Sequence, residues 1–415
     1  MAAEGDLELH SIDISNAFLN ADLHKDVYVQ QPDFYSNSNT DICLKLNKSL
    51  YGLKQAPLEW FKTLTNELAA LQFTQSDNDE ALWIKSTGSA PVYLLLYVDD
   101  MLLASSNLTQ LQDVKNSILN RFKGKDLGKA TRYLNIDIHR DRGNRTIKIS
   151  QPQYIINLLT KFKMDSSNPV STPAVNGADL TAARDDDKML DGTTPYAECV
   201  GALLYLQATT RPDISYIVNV LSKHMSKPTE RHWTAAKHLL RYLKGTADYG
   251  ITYQGGSKHF LIGYVDADYA ADKDTRKSRT GYVYTAAGGA ITWSSKQQAI
   301  VATSTCEAEY VAAAEAAKEG IFLRRIFQEL GNKTASAVSI KCDNIAAIQV
   351  ATSTGPTSRV KHIEIRYHFL RAAINKGLID ISHIASADNP ADALTKALAR
   401  DKIKFHLKQI GVKLN

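Results

Sequence analysis

Cysteine is scarce: the 415 residues contain four, Cys43, Cys199, Cys306 and Cys342. None forms a C-x-x-C pair, so neither a cysteine zinc site nor a disulfide framework organises the chain, and the usage fits a reduced intracellular compartment. Long apolar runs are lacking too. YLLLYVDDMLL, at 93–103, comes nearest, and two carboxylates break it, so no membrane-crossing segment is expected. The opening MAAEGDLELH is acidic and has no apolar stretch, which argues against a secretory signal. There is no internal repeat and no low-complexity tract. Neither sign of charge dominates: 49 Lys and Arg stand against 44 Asp and Glu, a net +5. That balance permits a nucleic-acid partner without arguing for one.

What is present is a globular composition, 44% apolar and 22% charged, in a chain too long for one ordinary core. Two or three domains are expected. Residues 1–165 mix short strands and helices. Residues 166–195, rich in Ser, Thr, Pro, Asp and Gly, read as a long loop or linker. From 196 to about 245, apolar residues recur at three- and four-residue spacing, as in helices. After Gly255–Gly256 the pattern turns to strands, with a hairpin at Gly288–Gly289, a long helix over about 305–330, and further strands in VSIKCDN and LIDISHIA. The fold class is therefore α+β or α/β and multidomain.

Two clusters of carboxylates stand out. Asp99 and Asp100 interrupt the apolar run, a placement best suited to a tight hairpin tip between YLLLYV and MLLAS. Such a tip costs desolvation and crowds like charges; a cation such as Mg²⁺ offsets both, although turns also favour Asp for local hydrogen bonding. Upstream, Asp13 ends the apolar strand LELHSI. Strand-borne acids converging from separate segments suit two-metal phosphoryl transfer. The second set is Asp266 in LIGYVDADY, Glu309 in STCEAEYVAAAEA, Asp343 at the end of VSIKCD, and Asp392 in SADNPADALTK. Spread over strand, helix, strand and helix start, these four acids make sense as an oxygen cage for two Mg²⁺ ions. Ser304 and Glu307 form a plausible capping box, which leaves Glu309 as the ligand of that helix. Asp392 is equally placed to be a first-turn acid, with Asn389 as cap and Pro390 as first helical residue.

IDISNAFLNADL, KSLYGLKQAPLEW and LLLYVDDMLLA, in this order and followed by KDLG, ISQPQYIINLL, STP, TRPDI and HWTAAKHLLRYLKGT, resemble the reverse transcriptase of copia-type LTR retrotransposons. VDAD, EAEY, CDN and NPAD resemble the ribonuclease H of the same elements, and together the motifs span nearly the whole chain. The resemblance implies a palm and thumb over 1–165, a linker and helical connection over 166–255, a ribonuclease H-like domain over 256–400 and a tail over 401–415. It implies an RNA-directed DNA polymerase that also cleaves RNA–DNA hybrids. The alternatives are a remnant with the hybrid nuclease alone, and a non-catalytic nucleic-acid-binding remnant.

The same resemblance implies site roles. Asp13 and Asp99 would be the main polymerase metal ligands with Asp100 beside them, and Phe18 the aromatic residue that excludes a ribose 2′-hydroxyl. Tyr51, Gly52 and Lys54 would touch the template and incoming nucleotide. In the nuclease, Asp266, Glu309, Asp343 and Asp392 would hold Mg²⁺, for which Mn²⁺ can substitute, and His383 would aid product release. Arg276, Lys277 and Arg279, with Arg359, Lys361, His362 and Arg366, would grip the hybrid backbone, the bland reading of each being a solvated face. The implied partners are an RNA template, a DNA primer, RNA–DNA hybrid, dNTPs and other polyprotein products, with no membrane. The implied location is a cytoplasmic virus-like particle or the nucleus. Only twelve residues precede Asp13, where the family carries a longer segment that builds the fingers. An incomplete N-terminus and impaired polymerisation are therefore expected. Asn135 also departs from the family, which usually has Gly there.

Overall fold

The computed structural model describes residues 1–32, 42–87, 90–256, 261–331, 337–353 and 364–413, without the side chains of 364–367 and 413. The chain divides into two compact units, residues 4–134 with Ala2, and 135–415 with Met1 and Ala3.

The smaller unit is built on a six-stranded antiparallel sheet. Its order is Thr74–Gln75, Leu82–Lys85, Val92–Tyr97, Asp100–Ser105, Glu8–Ile14, Gly124–Lys129. The two central strands alternate strictly: Val92, Leu94 and Leu96 on one, and Met101 and Leu103 on the other, are buried. That period of two sends one apolar face toward the helices Ala56–Ala70 and Leu108–Arg121. These return Trp60, Leu64 and Leu68, and Leu111, Val114 and Ile118, at helical spacing into the same core.

The larger unit contains a helical cluster: Pro152–Lys161, Tyr196–Thr209, Ser215–Ser222 and Glu230–Gly245. Its TRPDI motif has a structural use. Arg211 is fully buried and bonds through its guanidinium to both oxygens of Asp213 (2.9 and 2.7 Å) and to Thr246 O (2.9 Å), while Tyr242 donates to Asp213 (2.8 Å). The loop expected as a linker at 166–195 lies instead along this cluster. Arg241 Nε donates to Asn168 O (2.7 Å), His238 Nε2 lies 2.9 Å from Thr172 O, and Arg231 bonds to Thr181, Ala182 and Asp187. Side chains of one helix thus satisfy backbone groups that a free linker would leave to water.

A second sheet includes Ile136–Asp141, Thr146–Ser150, Gly250–Gln254 and Val412–Lys413 in that order, these four antiparallel. It corrects two expectations. The pairing of Thr146–Ser150 with Gly250–Gln254 ties both flanks of the helical cluster into one unit, so the main division falls at 134/135 rather than near 165. The last fifteen residues are not a tail. The helix Arg400–Gln409 buries Ile403 and Leu407, and the following strand closes the sheet edge.

The third sheet has the order Gly289–Gln297, Arg279–Ala286, Ile262–Ala267, Val338–Cys342, Ile379–His383. The first three strands are antiparallel; the last two join in parallel. The helix Thr305–Glu329 packs on it through buried Ala312, Ala313, Ala316 and Ala317. Those small side chains bring its backbone so close that Tyr284 donates to Ala316 O at 2.6 Å.

Candidate active sites

In the smaller unit the hairpin turn is formed by Val98 and Asp99, because Tyr97 already pairs with Asp100. The sequence places both aspartates at the tip; the structure puts Asp100 at the first position of the returning strand. Val98 takes a left-handed backbone (φ 55°), a conformation costing a β-branched residue about 1–2 kcal/mol. Trp60 Nε1 holds the strained turn by donating to Val98 O at 2.6 Å. Asp13 sits directly opposite Asp100 in the neighbouring strand, and Ile14 N donates to Asp99 O (3.0 Å). Cross-strand partners share a face, so the register brings the carboxyls of Asp13 and Asp100 together. All three aspartates are half-buried. Burial raises the Asp100 carboxyl above the usual range, and the charges of Asp99 and Asp13 push the same way.

The aromatic side of this cluster is equally defined. Phe18 lies on the short turn Ala17–Asn20 with its ring centroid 4.4 Å from that of Tyr51. The Tyr51 hydroxyl points at Asp99 Oδ2, 3.4 Å away. Gly52 has φ 96°, which only glycine adopts freely, and Lys54 is exposed. Tyr133, which the motifs did not single out, is close enough to Asp100 and Tyr97 that their charges add to its burial in raising its hydroxyl far above the usual range.

The larger unit assembles its four acids around the third sheet. Asp266 is on the central strand, Glu309 on the second turn of the long helix, Asp343 just beyond Val338–Cys342, and Asp392 in the short helix Pro390–Leu394. Asp266, Glu309 and Asp392 are 3%, 6% and 1% exposed. Asp266, Asp343 and Asp392 each offer an oxygen within 4.8 Å of the others; Asp343 and Glu309 meet within the same limit beside Cys342. Glu307 has the capping role expected of it, accepting from Thr303 N at 2.6 Å while its own N–H donates to Ser304 Oγ at 3.2 Å. Asn389 does more than cap: it donates to Val265 O (2.8 Å), fixing the Asp392 turn against the strand that bears Asp266.

Burial raises both Asp266 and Glu309 well above the carboxylate range. Glu309 is raised further by the charges of Asp266 and Asp343. An all-oxygen set whose members repel one another in a desolvated place fits a hard divalent cation. The Cys342 thiol, buried and pushed far above its usual value, donates toward Glu309 at 4.0 Å and is no ligand for such an ion.

Four cage neighbours were missed in the sequence. Thr395 Oγ1 donates to Asp266 Oδ2. Lys396 Nζ is 2.8 Å from Asp392 Oδ1, and Lys402 Nζ, from the C-terminal helix, is 2.5 Å from Oδ2. The four-residue spacing of Asp392 and Lys396 was a readable signal; Lys402 had none. Ser386 donates to Asp343 Oδ2. His383 is exposed at the end of its strand, paired in register with Cys342.

The basic residues separate. Arg276 is exposed and Lys277 half-buried. Arg279 is not available to a nucleic-acid backbone: it is 5% exposed, bonds to Asn219 Oδ1 and stacks its guanidinium over Tyr216 at 5.5 Å. Its place on a buried strand, not its charge, decides its role. Arg359, Lys361 and His362, and the side chain of Arg366, lie outside the described residues.

Residues 1–176 match the family described as reverse transcriptase (RNA-dependent DNA polymerase). The whole chain is 39% identical to a retrovirus-related Pol polyprotein from the tobacco (Nicotiana tabacum) transposon TNT 1-94, of which it covers 32%. Over 74% of the chain it is 35% identical to a putative transposon Ty5-1 protein of Saccharomyces cerevisiae, covering all of that protein. Among solved structures, RNase H1 from the halophilic archaeon Halobacterium salinarum overlaps 33% of this chain and 95% of its own, at 18% identity and a TM-score of 0.24. The chain therefore spans about a third of the length of the tobacco relative.

Proposed function

Because the chain belongs to the copia-type retrotransposon Pol polyproteins, we propose that it is an RNA-directed DNA polymerase joined to an RNA–DNA hybrid ribonuclease. The observation that carries the reading is that each compact unit has its own carboxylate cluster drawn from separate elements. Asp13, Asp99 and Asp100 would hold divalent cations in one, and Asp266, Glu309, Asp343 and Asp392 in the other, with Mg²⁺ the ion they suit best. Such ions supply charge stabilisation to a phosphoryl group in displacement and acidify its nucleophile.

The remaining work falls to the chain's own groups. In the polymerase, Phe18, largely buried and packed on Tyr51 beside Asp99, would be the residue that excludes a 2′-hydroxyl. Tyr51, Gly52 and Lys54 would touch the template and the incoming dNTP. In the nuclease, the Asn389 anchor fixes the orientation of Asp392. His383, exposed at the end of its own strand and paired with Cys342, would assist departure of the cleaved end. Arg276 and Lys277 would meet hybrid phosphates.

The test is to supply Mg²⁺ with a primed RNA template and, separately, a labelled RNA–DNA hybrid. The reading expects an extended DNA primer and RNA fragments bearing 5′-phosphates. Folded protein that yields neither product contradicts it.

A further inference from the structure

Asp392 is 1% exposed, yet both its oxygens are engaged by lysines arriving from different elements. The two contacts are not equivalent. Lys396 follows Asp392 by one helical turn; its ammonium is 2.8 Å from Asp392 Oδ1 and 3.9 Å from Asp266 Oδ2. It therefore lies between two of the three carboxyls whose oxygens converge within 4.8 Å. Lys402 comes from the helix Arg400–Gln409 and reaches the other oxygen, Oδ2, at 2.5 Å.

We propose that Lys396 is a resident counter-ion that a divalent cation must displace from the cage, whereas Lys402 is a positioning residue that holds Asp392 from its opposite oxygen throughout. The inference rests on reading Asp266, Glu309, Asp343 and Asp392 as a cation cage. A monovalent ammonium on a flexible stem neutralises part of the charge when the cage is empty and, with 48% of its side chain exposed, can swing out to solvent. Lys402 keeps its contact because it does not stand between carboxyls. The C-terminal helix thus becomes part of the nuclease site.

The experiment is calorimetric titration of Mn²⁺ into the full chain carrying Asp99→Asn and Asp100→Asn, so that only the nuclease cage is read. Lys396→Met is expected to bind Mn²⁺ on the order of tenfold more tightly, because a positive charge no longer competes at contact distance. Its metal-free melting temperature should fall. Lys396→Arg should keep both values near those of the unaltered background. Lys402→Met should bind Mn²⁺ several-fold more weakly than the background, and Lys402→Arg should recover the loss. Unchanged or weaker Mn²⁺ affinity in folded Lys396→Met overturns the counter-ion role; unchanged or tighter binding in folded Lys402→Met overturns the positioning role. Asp343→Asn separates the two levels: if it leaves the titration of the background unchanged, the cage reading itself fails.

Discussion

The two carboxylate clusters solve the same electrostatic problem in different ways. In the smaller unit, Asp13, Asp99 and Asp100 are half-buried at a hairpin turn and its neighbouring strand, with an aromatic wall on one side. In the larger unit the acids are sunk into the sheet and met by two lysines and a threonine. An open cluster relies on water and on its incoming substrate for charge balance. A buried one carries counter-charges with it, since unpaired carboxylates there would be far costlier. The hairpin cluster sits beside a left-handed residue, Val98, and raises one carboxyl, Asp100; the buried cluster raises Asp266 and Glu309.

Four changes would break or sharpen this contrast. Chelation of divalent cations should stop both activities, on the order of 10³-fold or more, with Mg²⁺ restoring them; primer extension or hybrid cleavage that survives chelation breaks the shared chemistry. Arg211→Ala should destabilise the larger unit by about 3–5 kcal/mol in urea unfolding, because it strands the buried Asp213. An equal loss from Arg211→Lys would weaken the case for its forked bonding. Phe18→Ala should raise ribonucleotide incorporation roughly 10- to 100-fold if the wall contributes about 1.4–2.8 kcal/mol of discrimination, measured as rNTP against dNTP use, while hybrid cleavage is unmoved.

The smallest effect is one of pH. Glu309 holds its proton more tightly when folded than at its ordinary value of 4.5. The metal-free native form therefore stays protonated while the unfolded chain ionises. Stability should fall as pH rises above that value until the raised folded value is passed. Glu309→Gln should flatten the slope of melting temperature against pH; a slope unchanged by this substitution would remove Glu309 as its cause.

How far these sites were legible in the sequence follows from the range of the interactions. Asp13, Asp99 and Asp100 could be found because two alternating apolar strands bracket them, and period-two patterning is local. The turn was misplaced by one residue because its closure depends on the Tyr97–Asp100 pair. Glu309 was separated from Glu307 by capping chemistry alone, and the structure gives Glu307 that job. Arg279 was misread because a basic run looks solvated until the strand it begins is seen to be covered on both faces. Lys402 and the strand Val412–Lys413 were illegible for a deeper reason. Their partners, Asp392 and Gly250–Gln254, are chosen by tertiary pairing that no local periodicity encodes.

The most direct test of the central claim, two clusters serving two reactions, is a paired assay on three preparations: the unaltered chain, the Asp99→Asn, Asp100→Asn variant, and Asp343→Asn. Primer extension on RNA and cleavage of RNA–DNA hybrid are measured on each. The account predicts that the first variant loses extension and keeps cleavage, and that the second loses cleavage and keeps extension. Loss of both activities in either folded variant, or of neither, would contradict it.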